Sequence, residues 1–280
     1  MTDDIERECL KLREKILNGE FERSPFPHKM IDPALNWDVY ERLEETFPRS
    51  ELIYRNKKVV NNLAYYMGAL DTLKHPEIDP VWKRLFEGLA NPEFFRTVLE
   101  VVAPHTRHLC PDFEGRLGKR MEEGSLALRG SGEEADFYFD VQISINSPVL
   151  RKSRVRAIHV DRTVKILNSL LYMRHPDDDV PGGELELYTW KAGRRFERVN
   201  APDDATTPVV RYAYTKNRML TFANSPDSLH GVTPRSETKI VRRYINILLE
   251  SRVPLFDLTE YQVKKMLPDR IKDFLKRQRV

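Results

Sequence analysis

The chain has 280 residues, 40% of them hydrophobic and 32% charged, with 46 Lys and Arg against 43 Asp and Glu. That mixture excludes wholesale disorder, collagen-like repeats and a strongly basic nucleic-acid coat, so no nucleic-acid partner is expected. Cys9 and Cys110 are the only cysteines, and no apolar run is long enough to span a membrane. Neither a disulfide framework nor a membrane helix is therefore expected, and without a secretory signal the reading is a cytoplasmic protein.

In chain order, Ile5, Leu10, Leu12 and Ile16 recur at roughly helical spacing and predict a surface helix from Asp3 to Leu17. Phe26 to Ile31 reads as a short strand. Asp32 with Pro33 behind it predicts a helix start, carrying Leu35, Trp37, Val39, Tyr40, Leu43 and Phe47 as far as Pro48. Residues 79–103 read as helix again, ended by Pro104. The Gly- and charge-rich stretch 113–136 suggests a loop or a loosely held hairpin. Short strand-like runs then alternate with turns at 137–146, 154–160, 164–173, 183–190, 207–213, 218–223 and 239–250. Such spacing argues for a sandwich, jelly roll or barrel rather than βαβ units. The expected organisation is one domain over 1–280. It comprises a helical flanking layer (1–112), a β core (113–255) and a basic C-terminal helix (256–280).

Chemistry concentrates at His159-Val160-Asp161. In a strand, residues i and i+2 share a face, so this run would present an imidazole beside a carboxylate. His230, far along the chain, is the candidate third ligand. Two His and one carboxylate leave three positions of a metal open, the facial arrangement of non-haem Fe(II) oxygenases. By itself the His-x-Asp pattern is better explained by a strand with a satisfied histidine. The context adds Lys165-Ile-Leu-Asn-Ser-Leu-Leu-Tyr172, Gly182-Gly183-Glu-Leu185, Arg218-Met-Leu-Thr-Phe222, His230-Gly-Val and the basic run Val241-Arg242-Arg243-Tyr244-Ile245-Asn246-Ile247.

This string resembles the Fe(II)- and 2-oxoglutarate-dependent dioxygenase superfamily in its prolyl-hydroxylase-like branch, over about residues 137–250. The resemblance implies a mainly β fold, a double-stranded β-helix or jelly roll, flanked by N-terminal helices and a C-terminal helix. It implies His159, Asp161 and His230 as iron ligands, with Fe(II), 2-oxoglutarate and dioxygen as cofactor and cosubstrates. It further implies Tyr172 as a partner of the 2-oxoglutarate carboxylate and a late-strand arginine as its clamp. A planar guanidinium grips a carboxylate bidentately. Arg242 and Arg243 compete for that role on opposite faces of one strand. On the argument that a barrel interior is apolar, Arg243 is expected inward, on the face that continues as Ile245 and Ile247. Asn168 shares the Tyr172 face by alternation. Gln142, Ser144 and Asn146 alternate on another strand; they suit either a wet cavity wall in contact with the cosubstrate or an exposed face. Asp161 occupies the place that related halogenases leave to halide, so hydroxylation of an unactivated C–H bond is expected. A small-molecule or saccharide-type substrate is the favoured reading. A peptidyl (prolyl-type) hydroxylase is the alternative, and a non-catalytic jelly-roll ligand-binding module is the reading from another class. The candidate rim segments are 54–70, 113–136 and 188–200.

Overall fold

A computed structural model describes residues 2–262 of the chain. The N-terminal part holds α1 (Thr2–Leu17), β1 (His28–Ile31), α2 (Trp37–Glu45), α3 (Ser50–Tyr54), β2 (Ala64–Met67), α4 (Ala69–Lys74), α5 (Pro80–Leu89), α6 (Pro92–Leu109) and α7 (Phe113–Leu117). The remainder is β: β3 (Leu126–Leu128), β4 (Phe137–Asn146), β5 (Lys165–Tyr172), β6 (Leu185–Trp190), β7 (Thr206–Tyr212), β8 (Met219–Ala223), β9 (His230–Val232) and β10 (Arg242–Ser251). From residue 263 the expected C-terminal helix lies outside the described residues, and the described part of it carries a 3-10 turn at Thr259–Tyr261.

Local chemistry sets the helix starts. Asp79 caps α5 by accepting from the Val81 N–H at 2.8 Å, and Asn91 caps α6 by accepting from Phe94 N–H at 2.9 Å; each has proline as the next residue. The single helix expected over 79–103 is therefore two, because the residue before Pro92 is pushed out of the helical region. Pro104 sits inside α6 instead of ending it, with Val102, Ala103 and Thr106 buried around it. Packing on both sides of the proline carries the helix past the hydrogen bond it cannot make. The helix expected from Asp32 starts later, behind the cap Asn36. Ala34 and Leu35 donate instead to the Asn217 carbonyl and side-chain oxygens at 2.8 Å, which holds that segment out of the helix.

Two antiparallel sheets make the core. The larger runs β1-β8-β5-β10-β4-β2, with β3 added in parallel on β4; the smaller runs β7-β6-β9. This mainly β, two-sheet core is the jelly-roll class expected from the sequence. β10 is its central ladder, paired with β4 from Arg242↔Asn146 to Ser251↔Phe137 and with β5 from Tyr244↔Tyr172. One side of the large sheet carries Phe139, Val141, Ile143 and Ile145 of β4 with Ile245, Ile247 and Leu249 of β10, all essentially inaccessible. Helices cover it: Phe95 of α6 stacks on Phe139 with ring centres 4.6 Å apart. Each such side chain contributes about 1.5–3 kcal/mol on burial, so this is the face that holds the sheet to the helices. The opposite side looks toward the small sheet. Phe26, Leu185, Leu187, Leu220 and Phe222 close that space at one end. The other end stays open as a cavity of about 500 Å³.

Candidate active site

His159 and Asp161 sit just before β5, and His230 opens β9. The expected strand over 154–160 is absent; what remains there is an isolated two-way bridge. His159 N–H donates to the His230 carbonyl and His230 N–H to the His159 carbonyl, both at 2.9 Å. That bridge sets the imidazoles side by side with ring centres 4.2 Å apart. The loop carrying Asp161 is stitched down on its other side. The Asn224 side-chain amide donates to the carbonyls of Arg162 at 3.0 Å and Lys165 at 2.9 Å. One potential donor atom from each of His159, Asp161 and His230 lies within 4.8 Å of the others, and all three residues are buried.

The hydrogen bonds around the triad leave the right atoms free. His159 Nδ1 meets the Ala157 carbonyl at 2.8 Å, and His230 Nδ1 meets the Ser228 carbonyl at 2.9 Å. A carbonyl only accepts, so Nδ1 carries the proton in both rings and Nε2 keeps its lone pair. Burial holds both imidazoles below their ordinary pKa, His159 furthest, since His230 sits against it. Burial alone would raise Asp161, but the neighbouring Lys165 ammonium, together with His230, His159 and Arg156, outweighs it and holds the carboxyl well below the usual range. Asp161 Oδ1 accepts from Lys165 Nζ at 3.3 Å, while Oδ2 is buried without a hydrogen-bond partner among the described residues. Two neutral imidazoles and one ionised carboxylate with an orphan oxygen form a donor set fitted to a divalent cation.

Around the triad the cavity is walled by side chains of β4, β5 and β10, with Leu185 and Val232 from the small sheet. Tyr172, Asn168 and Asn146 all face it. The Tyr172 hydroxyl and Asn168 Oδ1 are buried without partners among the described residues. The arginine expectation is reversed. Arg242 faces the cavity, on the side of the strand that continues as Tyr244 and Asn246. Arg243 lies on the helix side, its guanidinium 4.7 Å from the centre of the Phe47 ring. Arg242 lies against two aromatic rings set edge to face, its guanidinium 4.3 Å from the centre of Tyr214 and 5.1 Å from that of Tyr172. It also donates to the Gly183 carbonyl. This contact gives the Gly182-Gly183 pair its physical meaning. Both glycines have positive φ; a Cβ on Gly182 would lie 2.0 Å from the Pro234 carbonyl oxygen, and one on Gly183 2.9 Å from Arg242 Nη1.

Sequence reasoning missed several members of the site. Arg129, Arg156, Arg162, Lys165 and Glu250 all reach the cavity, from four different segments. The Lys165 contact had a legible signal, four residues after Asp161; the others had none. Of the expected rim, Ala64, Tyr66 and Arg129 line the mouth, whereas 188–200 does not. Arg194 is paired with Asp227 and Arg195 with Asp204, away from the cavity.

No protein-family model matches the chain, and no curated protein matches it significantly. Solved structures similar to it include prolyl 4-hydroxylases and 2OG-Fe(II) oxygenases. One is a prolyl 4-hydroxylase from Phytophthora capsici, at 14% identity and TM-score 0.48, covering 99% of this chain and 73% of that one. Another is a prolyl hydroxylase from Trichoplax adhaerens in complex with a hypoxia inducible factor peptide fragment, at 12% identity and TM-score 0.44, covering 89% and 91%. A third is a dioxygenase for auxin oxidation in rice, at 12% identity and TM-score 0.42, covering 98% and 90%.

Proposed function

We propose that the protein is a non-haem Fe(II)- and 2-oxoglutarate-dependent dioxygenase, acting as one domain, that hydroxylates an unactivated C–H bond of a polar small-molecule or saccharide-type substrate. The observation that carries this reading is the buried His159, Asp161 and His230 set, within 4.8 Å, at the wall of a cavity that also holds Arg242. His159 Nε2, His230 Nε2 and an Asp161 oxygen would hold the metal. Bound there with 2-oxoglutarate and dioxygen, Fe(II) supplies C–H oxidation coupled to release of succinate and CO2.

The chain's own residues orient and exclude. The Ala157 and Ser228 carbonyls fix both imidazole rings, and Lys165 helps to hold Asp161 ionised. Arg242 takes the distal carboxylate of 2-oxoglutarate as a charge-assisted fork, with the Tyr172 hydroxyl as a further donor. Contact with Tyr172 and Tyr214 and the hydrogen bond to the Gly183 carbonyl hold that guanidinium in place before any ligand arrives. Asn146 and Asn168 line the same cavity and are proposed to contact the cosubstrate. The polar stripe of Gln142, Ser144 and Asn246 suits a hydroxyl-bearing substrate. Among the described residues no helix is long and apolar enough to cross a membrane, and Cys9 and Cys110 are free; a cytoplasmic location suits the unpaired thiols.

One observation favours the peptidyl alternative. Val59, Val60, Leu63, Tyr66 and Leu150 are large apolar side chains left exposed, and Tyr66 reaches the cavity mouth. Exposed apolar side chains on the segment that leads to the mouth suit a peptide better than a sugar. The deciding experiment is metal stoichiometry followed by a substrate screen. One Fe(II) per chain is expected, lost in Asp161→Ala and in His230→Ala; full iron in either variant overturns the assignment. Succinate release stimulated by small polar metabolites supports the favoured substrate, and stimulation by peptides alone supports the alternative.

A further inference from the structure

The cavity carries more positive charge than the reaction proposed above uses. Arg129, Arg156, Arg162, Lys165 and Arg242 line it, against the carboxylates of Asp161 and Glu250. Arg242 is committed to 2-oxoglutarate in that reading, and Lys165 is paired with Asp161 at 3.3 Å. Glu250 is shared: it pairs with Arg162 and, at 3.4 Å, with Arg129, whose second carboxylate, Asp140, is 3.7 Å away. Arg156 is left over. It is exposed, and it makes no hydrogen bond or ion pair among the described residues. It nevertheless lines the same cavity as His159, Asp161, His230 and Tyr244. Fe(II) and dianionic 2-oxoglutarate cancel in charge, so loading the site leaves this surplus in place.

We infer that the primary substrate is a small organic anion, with a carboxylate or phosphate group held by Arg156 at the mouth and a polar body laid along Gln142 and Asn246. The inference deepens the oxygenase reading and rests on it for the identity of the cavity as a substrate site. A guanidinium without a protein partner keeps its full donor set for an incoming oxyanion. The polar wall fits the rest of such a molecule: Asn246 Oδ1 is buried without a partner among the described residues, ready to accept from a hydroxyl group. Arg129 and Arg162, sharing one carboxylate, add attraction over the mouth and steer anions inward.

The test is calorimetric binding to the full chain under anaerobic conditions, saturated with Fe(II) and 2-oxoglutarate so that Arg242 is occupied. The probes are matched pairs, D-gluconate with D-glucose and glycerol 3-phosphate with glycerol. At least one anion should bind about tenfold or more tightly than its neutral partner, with affinity falling as salt rises. Whichever pair shows the larger gap separates carboxylate from phosphate recognition. Arg156→Gln should abolish the gap and Arg156→Lys should restore most of it. No anion preference in either pair, absence of binding included, overturns the inference, as does an unchanged gap in Arg156→Gln. The Fe(II) and 2-oxoglutarate titrations that precede the probes test the oxygenase reading separately. Protein that takes up both and still shows no anion preference refutes this inference and leaves that reading intact.

Discussion

The two faces of β10 carry opposite chemistry from the same alternating sequence. Arg243, Ile245, Ile247 and Leu249 face the helices, in a layer that is apolar except for one arginine. Arg242, Tyr244, Asn246, Leu248 and Glu250 face the cavity, a wall that is polar except for one leucine. Both faces are largely buried, so exposure does not tell them apart. What distinguishes them is what covers each one. Helices bring apolar side chains to the first, and the small sheet leaves space over the second. The first face therefore stores stability and the second stores binding, and substitutions should divide along that line.

The largest effect should come from the stability face. Ile247→Ala removes a side chain that is 1% exposed and should lower the unfolding free energy by about 2–5 kcal/mol, read by urea unfolding. Anaerobic titration of the folded variant should give an unchanged 2-oxoglutarate affinity. A loss of affinity matching the loss of stability would erase the distinction between the faces.

Next is the arginine pair. Arg242→Ala should weaken 2-oxoglutarate binding by about 1.5–3 kcal/mol, roughly 10- to 150-fold. Arg243→Met should leave that affinity alone and change stability by no more than about 1 kcal/mol. The reason is that Arg243 Nε and Nη2 are buried without hydrogen-bond partners among the described residues, and a well-packed apolar replacement can be neutral or better. Titrating both variants with iron present checks the direction; the larger loss in Arg243→Met would mean that the faces are exchanged.

The smallest effect lies at the root of the ladder, just before β4, where neither rule applies. Asp136 accepts from the Ser125 N–H at 2.9 Å and pairs with Lys119 and Arg252, both at 2.9 Å. Burial pushes its carboxyl up, but those donors outweigh it and hold the pKa well below the ordinary value. A depressed folded pKa means stabilisation that is complete above the unfolded value, about 4, and is lost as pH falls through the folded one. Asp136→Asn should therefore cost about 1–2 kcal/mol at pH 7 and progressively less in acid. Thermal unfolding of the two proteins from pH 7 to pH 3 measures this, and a gap that widens in acid contradicts it.

Much of the site was legible in the residues themselves. Alternation at 137–146 and 239–250 already sorted Gln142, Ser144 and Asn146 from Ile143 and Ile145, and Arg242, Tyr244 and Asn246 from Arg243, Ile245 and Ile247. The two-residue spacing of His159 and Asp161, with the later His230, marked the buried triad that could hold a metal ion. Which face of the sheet meets the cavity was decided only in three dimensions. Period two partitions side chains without saying which set looks inward, and in a sheet covered on both sides hydrophobicity does not settle it. The assumption of an apolar barrel interior therefore placed Arg243 on the wrong side. The triad also depends on tertiary contacts, because His159 gains its position from a two-bond bridge to His230 rather than from a strand of its own. Arg129, Arg156 and Glu250 meet at one mouth because separate loops and strand ends converge there. Local sequence dictates dihedral angles and periodicity, whereas convergence of distant segments is fixed only when the helices and the small sheet pack against the two sides of the large one.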